Sequence, residues 1–548
     1  MKRSLIPQGL HILGETVKDE TRIDFATFFT RYDRDDCASL HRLIAESKGL
    51  IYEDLLAAKD PSGEARSSLR TLEEIEDEVR LTIREAYLKG VFPKQESWRR
   101  AVSTALKVAQ KLDNHLEYEN FFRALSGGYV EPGLGGDALR NPEVLPTGRN
   151  SYPFDPRLVP SEEAMRRGFQ IAENTLAHYR SLHGRYPQSV AVVLWGFETT
   201  KTRGETVGQI LGYLGVRIQA DSNPYHKKLA PMPLSELGRP RIDCLVQICG
   251  FFRDMYPNVL DMLHRAFHLV SQLDEPQEEN FVRAHSERNR EQLRETVEDE
   301  AEREHLAVGR IFGPRAGEYG TRLTSLIETG AWKDEADLVS LFVSSMQHLY
   351  GGAFHGQKVP ELYRQSMQNV ELVSQIRDSH EYEIMDLDHY YEFFGGLSRS
   401  VESVRGAPPV MLITDTTREI LRTETVGEAL QRGVRTRLLN PKWIEALLEH
   451  PFHGAQKIAD RLEYLIGFAA TTHAVENWVW SRIVDRYVRD EELFQRMTAN
   501  NRFAVEQLLA RLVEAKQRGY WDPTDEEWAL LQERYLQLEG HIEEKMDS

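Results

Sequence analysis

Ser189-Val190-Ala191-Val192-Val193-Leu194-Trp195 decides the fold class. Its apolar residues run on without the alternation of a half-exposed strand, as in a strand buried on both faces. A helical stretch from Ser161 to His183 precedes it. A Gly/Thr-rich turn and a helix from about Gly204 to Leu214 follow it. Ile242-Asp243-Cys244-Leu245-Val246-Gln247-Ile248 repeats the strand pattern and is followed by a helix from about Pro257 to Leu273. Val216 to Ala220 can form a further short strand. Strands alternating with helices predict an α/β fold with a parallel, Rossmann- or flavodoxin-like sheet covered on both faces. Ligands of such sheets bind beyond the carboxyl ends of the strands. Those ends are Trp195-Gly196-Phe197-Glu198 and Cys249-Gly250-Phe251-Phe252-Arg253-Asp254.

Outward from this unit (161–273) the texture changes. Residues 1–125 read as a helical region, with Leu69, Leu72, Ile75, Val79 and Ile83 at three- and four-residue steps; core packing accounts for such a stripe. Residues 126–160 are rich in Gly, Pro and Asn and carry little periodicity. Irregular loops beyond ~15 residues tend to be functional or disordered, and the Leu, Val, Tyr and Phe here favour an ordered, ligand-facing loop. Residues 274–405 read as a second helical region, with Arg283 to Val308 one solvated helix and several further helices over 321–380. Residues 406–548 read as a mainly helical carboxyl-terminal region containing one strand, Val410 to Thr414. The whole is expected to be a helix-rich, multidomain α/β protein.

Composition narrows the function. At roughly 150 residues per domain, 548 residues imply three or four domains. The net charge of −18 disfavours nucleic acid and anionic membrane surfaces as main partners. Cys37, Cys244 and Cys249 supply neither a disulfide framework nor a CxxC zinc spacing. No apolar run approaches the ~18 residues of a membrane span. The opening Met1-Lys2-Arg3-Ser4-Leu5-Ile6 looks like a secretion signal, but Pro7, Gln8, Gly9 and His11 interrupt it. A reducing, cytoplasmic location is expected.

The chain has no GxxxxGK[ST], GxSxG or HExxH motif. His264 and His268 share a helix face, but two ligands without a third make a poor metal site. Arg140, Arg149, Lys201, Arg203 and Arg253 are loop cations suited to carboxylates, or to salt bridges with neighbouring acids. Asp386 to Gly396 mixes carboxylates, an imidazole and aromatics, which suits a binding wall or a helix start.

A set of ordered blocks resembles the large (H) subunit of magnesium chelatase and its CobN-type cobaltochelatase relative. The blocks are Gly9-Leu10-His11-Ile12-Leu13-Gly14-Glu15, Gly135-Gly136-Asp137, Leu145-Pro146-Thr147-Gly148-Arg149-Asn150, Val193-Leu194-Trp195-Gly196 and Lys201-Thr202-Arg203-Gly204-Glu205. They continue with Gly238-Arg239-Pro240-Arg241-Ile242-Asp243, Phe252-Arg253-Asp254, Asn280-Phe281-Val282-Arg283-Ala284-His285, Asp388-His389-Tyr390-Tyr391, Asn440-Pro441-Lys442-Trp443 and Ala469-Ala470-Thr471-Thr472. The resemblance implies insertion of a divalent metal into a tetrapyrrole held by this subunit. Two AAA+-type partner subunits would bind and hydrolyse ATP, consistent with the missing phosphate loop here.

On that resemblance, Trp195, Phe252 and Tyr390, with Phe251, would line a flat slot for the ring. Arg149, Arg253 and Lys201 would hold the propionates. Glu15, Asp137, Glu205, His285 and His389 would accept the pyrrole protons, and His11, Glu15 and His285 would handle the metal.

The family's large subunits are about twice this long, and the resemblance covers their carboxyl-terminal half. The family's His-Gly-Thr-x-Glu block, associated with a catalytic carboxylate, has no equivalent: His355-Gly356-Gln357 and His453-Gly454-Ala455 differ at the third position. A separate polypeptide carrying the amino-terminal half is therefore expected, or the chain is a truncated product. Activity of the chain alone is not expected.

Thr414-Asp415-Thr416-Thr417, Val434 to Asn440, Glu476-Asn477-Trp478-Val479 and Arg518-Gly519-Tyr520-Trp521 resemble the magnesium branch. Arg310-Ile311-Phe312-Gly313 with Gly317-Glu318-Tyr319-Gly320 resembles the cobalt branch. Mg²⁺ insertion into protoporphyrin IX is the favoured expectation. The alternatives are Co²⁺ insertion into a corrin precursor, a non-catalytic porphyrin carrier or sensor, and a scaffold with an emptied pocket. Retention of Asp137, Arg149 and Arg253 weighs against the scaffold.

Overall fold

The computed structural model describes residues 13–34, 37–57, 63–112, 116–136, 138–139, 142–152, 155–219, 227–379, 381–418 and 420–546. The chain divides into two compact units, 1–154 with 418–420, and 155–417 with 421–548. In the first unit, helices Asp19–Phe29, Leu40–Ser47, Gly63–Lys89 and Glu96–Gln110 share a core. Ile75, Val79 and Ile83 of the periodic stripe are fully buried there with Ile23, Ile44 and Val102. Leu69, where the stripe begins, is exposed. In the glycine-rich stretch, Gly133–Leu134 pairs in parallel with Asn150–Tyr152.

The second unit is built on a sheet. Helix α1 (Glu162–His183) starts where the Ser161 hydroxyl accepts from the Ala164 N–H and stops at left-handed Gly184. Strand β1 (Ser189–Leu194) is buried throughout. Helices α2 (Gly196–Thr202) and α3 (Glu205–Leu214) follow it. Then come β2 (Asp243–Ile248), β3 (Ile311–Gly313), β4 (His348–Gly351), β5 (Phe354–Lys358), β6 (Val370–Arg377), β7 (Val410–Asp415) and β8 (Arg422–Thr425).

The spatial order is β8-β7-β6-β1-β2-β3-β4-β5. The five strands from β7 to β3 are mutually parallel, and β8, β4 and β5 run antiparallel to their neighbours at the edges. The α/β class with parallel strands and a helical carboxyl-terminal region is what the sequence predicts, except that the sheet is mixed. α3 buries every residue and lies close on α1: a Cβ built at Gly168 would meet the Gln209 nitrogen and the Gly208 carbonyl carbon at 2.4 Å. Only glycine permits that approach.

Three local expectations are corrected. The stretch 321–380, read as helices, contains β4, β5 and the central strand β6. β6 escapes an apolar-run search because Ser374, Gln375 and Arg377 are buried polar residues. Ser374 Oγ accepts from Gln209 Nε2 at 2.9 Å, and Arg377 pairs with Asp415. Val216–Gln219 is a strand but stays out of the main sheet, pairing antiparallel with Lys228–Pro231. The single solvated helix over 283–308 is two helices, Phe281–Leu293 and Glu300–Ala307, restarted by the Asp299 carboxylate on the Glu302 N–H. The first of them buries His285, Ser286 and Asn289 rather than lying fully in solvent. Among the described residues no helix is long and apolar enough to cross a membrane.

Candidate active site

The chain enters the sheet at β1, adds β2 and β3 on one side, and later adds β6 and β7 on the other. Connections leaving β1 and β6 therefore diverge, which makes their carboxyl ends the topological switch point where ligands of open α/β sheets bind. The residues following both strands surround this switch point.

From β1 come Trp195 and α2. Arg203 and Gly204 both take positive φ, 60° and 101°, to turn the chain into α3. A Cβ at Gly204 would lie 2.8 Å from Val159 Cγ1, so the turn requires glycine. Thr202 Oγ1 accepts from the Glu205 N–H at 3.1 Å and donates to Glu198 Oε1 at 2.8 Å. The turn thus brings Glu198 and Glu205 into one buried cluster. Glu205 pairs with Arg167 of α1 at 2.6 Å, and Arg167 also donates to the Thr416 carbonyl beyond β7 at 2.7 Å.

From β6 comes Asp378, which accepts from the Tyr382 hydroxyl and pairs with Lys201 at 3.2 Å. Burial pushes the Glu198 carboxyl up to about 8, with the negative charges of Asp378 and Glu205 adding to the effect.

Aromatic rings face the same region. Trp195 lies 5.3 Å from His389, 6.1 Å from Tyr390 and 5.2 Å from Phe393, centroid to centroid. Its indole N–H is buried and finds no acceptor among the described residues. His389 begins a π-helical turn at Tyr390–Gly395, a distortion common at functional sites. Burial opposes protonation of His389, but Glu392 at 3.2 Å and Asp388 at 3.4 Å outweigh it and hold its pKa above the usual range. Phe197 after β1 and Phe251 after β2 stack at 4.5 Å and 13°, and Phe197 is 67% exposed.

The residues expected from sequence fall into separate groups. Trp195, Lys201, Glu205, His389 and Tyr390 lie about the switch point, Glu205 and Tyr390 buried. Tyr390 is buried and donates to the Ile376 carbonyl at 3.1 Å. Phe252 is fully buried against Tyr256 and belongs to the core rather than a slot, because it occupies the inward face of the first turn after β2. Arg253 donates to the carbonyls of Arg315 and Glu318 at 2.8 and 3.0 Å and pairs with Asp254, so its guanidinium tethers the 314–319 loop.

His285 lies at the opposite ends of the strands. Its Nδ1 meets Asp243 Oδ2 at 2.8 Å at the amino end of β2, and Arg310 holds the same carboxylate at 3.0 Å. Glu15 and Arg149 belong to the first unit, Glu15 exposed and Arg149 3.7 Å from Glu131. His11, Asp137 and Arg140 lie outside the described residues. Among the described residues no three His, Cys, Asp or Glu side chains group as metal ligands. His264 is buried and pushed down to about 4 by burial and by its neighbours His305 and His268, as a neutral helix residue would be.

Asp378 and Tyr382 carry no motif in the sequence that marks them. Recognising β6 as a strand would have marked Asp378 as its carboxyl-terminal neighbour. Glu198 and Phe197 stood in a quoted strand end without a role.

The Asp243 cluster carries a pH signature. Burial opposes ionisation of Asp243, yet Arg310 and His285 hold its carboxyl below the usual aspartate range. Its stabilising contribution is therefore present above the ordinary aspartate pKa and lost as pH falls through the lowered folded value. In urea unfolding, Asp243→Asn is expected to show a deficit at pH 7 that shrinks on acidification. A deficit independent of pH contradicts this.

The chain belongs to a family of metal-inserting enzyme subunits: the CobN/Magnesium Chelatase family model matches residues 1–528. It is 30% identical over 583 residues to the Magnesium-chelatase subunit ChlH, chloroplastic, of Oryza sativa subsp. japonica, covering 98% of this chain and 41% of that protein. It is 32% identical over 549 residues to the Aerobic cobaltochelatase subunit CobN of Pseudomonas aeruginosa, covering 95% and 44%. The solved Catalytic Subunit of Cobaltochelatase from Mycobacterium tuberculosis superposes with a TM-score of 0.88 at 32% identity, over 98% of this chain and 45% of that one. The chain thus spans less than half the length of these relatives.

Proposed function

We propose that this chain is the tetrapyrrole-binding part of a chelatase large subunit that places Mg²⁺ in protoporphyrin IX within an ATP-dependent cytoplasmic complex. Family membership over residues 1–528 supports the reading most strongly. The switch point adds groups the chemistry requires: an exposed ring at Phe197, half-buried rings at Phe251 and Trp195, and acid–base groups at Glu205 and His389. Lys201 is the cation of the second unit proposed for a propionate, since Arg253 is committed to the 314–319 loop; the roles proposed for Arg149, Glu15, Asp137, His11 and His285 rest on the family resemblance alone.

Mg²⁺ holds its waters tightly and prefers oxygen ligands, so its transfer to four pyrrole nitrogens needs energy input. This chain has no phosphate-binding loop motif, and two AAA+-type subunits are proposed to supply ATP hydrolysis. The remainder of the family's length, supplied as a separate polypeptide or otherwise, is proposed to complete the catalytic set.

The test is reconstitution. This chain with the ATPase subunits alone is expected to insert no metal, and addition of the remaining large-subunit part is expected to restore Mg²⁺ insertion into protoporphyrin IX. Insertion without that part contradicts the proposal, and insertion of Co²⁺ into a corrin precursor in preference to Mg²⁺ assigns the cobalt branch. Porphyrin binding with no insertion under any combination favours a carrier or sensor.

A further inference from the structure

The helix Glu117–Leu125 of the first unit is inverted: its polar side packs inward and its apolar side faces water, the reverse of an ordinary surface helix. Asn120 is its one buried residue, and the Asn120 Nδ2 donates to the Gly148 carbonyl at 3.0 Å. One turn earlier, Glu117 accepts from the Thr147 hydroxyl at 3.0 Å and from the Gly14 N–H at 2.8 Å. At the far end the Gly127 and Gly128 N–H groups close the last turn on the Ala124 and Arg123 carbonyls at 3.0 and 2.8 Å. The helix is thus held in place by polar contacts. Its other face carries Tyr118, Phe121, Phe122 and Leu125 at i, i+3, i+4 and i+7, exposed by 49, 49, 62 and 69%. Tyr118 and Phe122 stack at 6.2 Å, and Phe121 meets Phe122 edge-on at 5.6 Å. Every residue from Tyr118 to Tyr129 except Asn120 is exposed, so the helix stands out as a ridge. At about 150–250 Å² per aromatic side chain, these four leave on the order of 400 Å² of apolar surface in water, a size at which exposed patches mark interaction sites.

We propose that this ridge is the docking face for the remaining part of the large subunit, seated in an apolar groove of that part. The identity of the occupant rests on the chelatase reading above; the docking face itself does not. The relatives named above carry more than half of their length beyond the stretch this chain matches, so in each a larger mass of polypeptide accompanies the matched part. Shape and charge select among occupants. A protruding helix cannot enclose a flat ring, as a tetrapyrrole slot must. Anchors at i, i+3, i+4 and i+7 are those of a helix laid into a hydrophobic groove of another protein. The only cation on the helix, Arg123, is paired with Glu119 at 2.7 Å, which leaves nothing to hold an anionic lipid surface. A specific protein interface takes roughly 800 Å² from each partner. The ridge supplies about half of that, as the apolar core, and the polar surface around it forms the rim.

The test is association, read by calorimetric titration of the full chain with the remaining large-subunit part added as a separate polypeptide. Phe121→Ser combined with Phe122→Ser is expected to weaken association roughly 100-fold or more. Leu182→Ser, at an exposed apolar position of α1, is expected to change it by less than about twofold. Both variants are expected to melt with the wild type, because the altered side chains lie in water. Amide exchange over 118–129 is expected to slow in the wild-type complex. Equal affinity in wild type and double variant, or no association of the wild-type chain, overturns the docking face. Self-association of the chain alone that the double variant abolishes assigns the face to a second copy, and flotation of the chain with phosphatidylcholine vesicles assigns it to a lipid surface; either result overturns the proposed occupant. A pair that associates through this face but inserts no metal with the ATPase subunits present contradicts the chelatase reading and leaves the docking face standing. Metal insertion by a pair whose affinity ignores the substitutions overturns the docking face alone.

Discussion

Arg377→Ala is expected to lower the stability of the α/β unit by roughly 3–5 kcal/mol, the usual cost of leaving buried partner charges uncompensated. Arg377 ends the central strand β6 and is 1% exposed. Its Nη1 lies 2.9 Å from Asp415 Oδ2 at the end of β7, its Nη2 3.3 Å from Glu383 Oε1, and its Nε donates to the Tyr382 carbonyl at 2.8 Å. Glu383 is shared with Arg432, which also pairs with Glu424 of β8. Asp386 continues the network to Arg437 and Arg461 at 3.1 and 3.0 Å. One guanidinium therefore ties two strands to the segment that carries Tyr382 and leads into His389. Urea unfolding at neutral pH measures the loss. Arg377→Lys is expected to recover only part of it, because an ammonium cannot satisfy a carboxylate, a second carboxylate and a carbonyl with one planar fork. A loss below about 1 kcal/mol for Arg377→Ala would place the network at the level of surface pairs and contradict this view.

Phe197→Ala is the second large effect, and it falls on binding. Burying a phenylalanine ring contributes about 1.5–3 kcal/mol, so removing one that a tetrapyrrole covers is expected to weaken porphyrin binding roughly 10- to 100-fold. Phe197 is 67% exposed, so the melting temperature of the free chain is expected to change little. Fluorescence titration and a thermal melt on the same sample separate the two. Equal affinity in wild type and variant would remove Phe197 from the binding surface.

How far the sequence could be read follows from what each segment buries. β1 and β2 have apolar runs and were legible as strands. β6 was not legible, since Ser374, Gln375 and Arg377 look like surface residues until their buried partners Gln209, Asp415 and Glu383 are known. Those partners come from α3, β7 and the 381–387 segment, far apart in the chain. The miss propagated to the site: without β6, neither Asp378 nor the pairing of β6 beside β1 could be inferred. Trp195 stands at the end of a strand the sequence shows, while Lys201 and Glu205 were singled out by their family block.

Arg253 and His285 show the converse. Their family blocks drew attention to them, but residue type alone could not tell a ligand-facing cation from one tethering the 314–319 loop. Nor could it tell an imidazole at the switch point from one paired with Asp243 at the amino end of β2. The glycine at 204 was readable as part of a block, while its reason, contact with Val159 and Pro160, required coordinates.

Tryptophan-fluorescence titration of the purified chain with deuteroporphyrin IX at neutral pH tests most directly whether the crevice at the ends of β1 and β6 receives a tetrapyrrole. Saturable one-to-one quenching is predicted, weakened by Phe197→Ala and reduced in amplitude by Trp195→Phe. Absence of saturable quenching, or quenching indifferent to both substitutions, would contradict it.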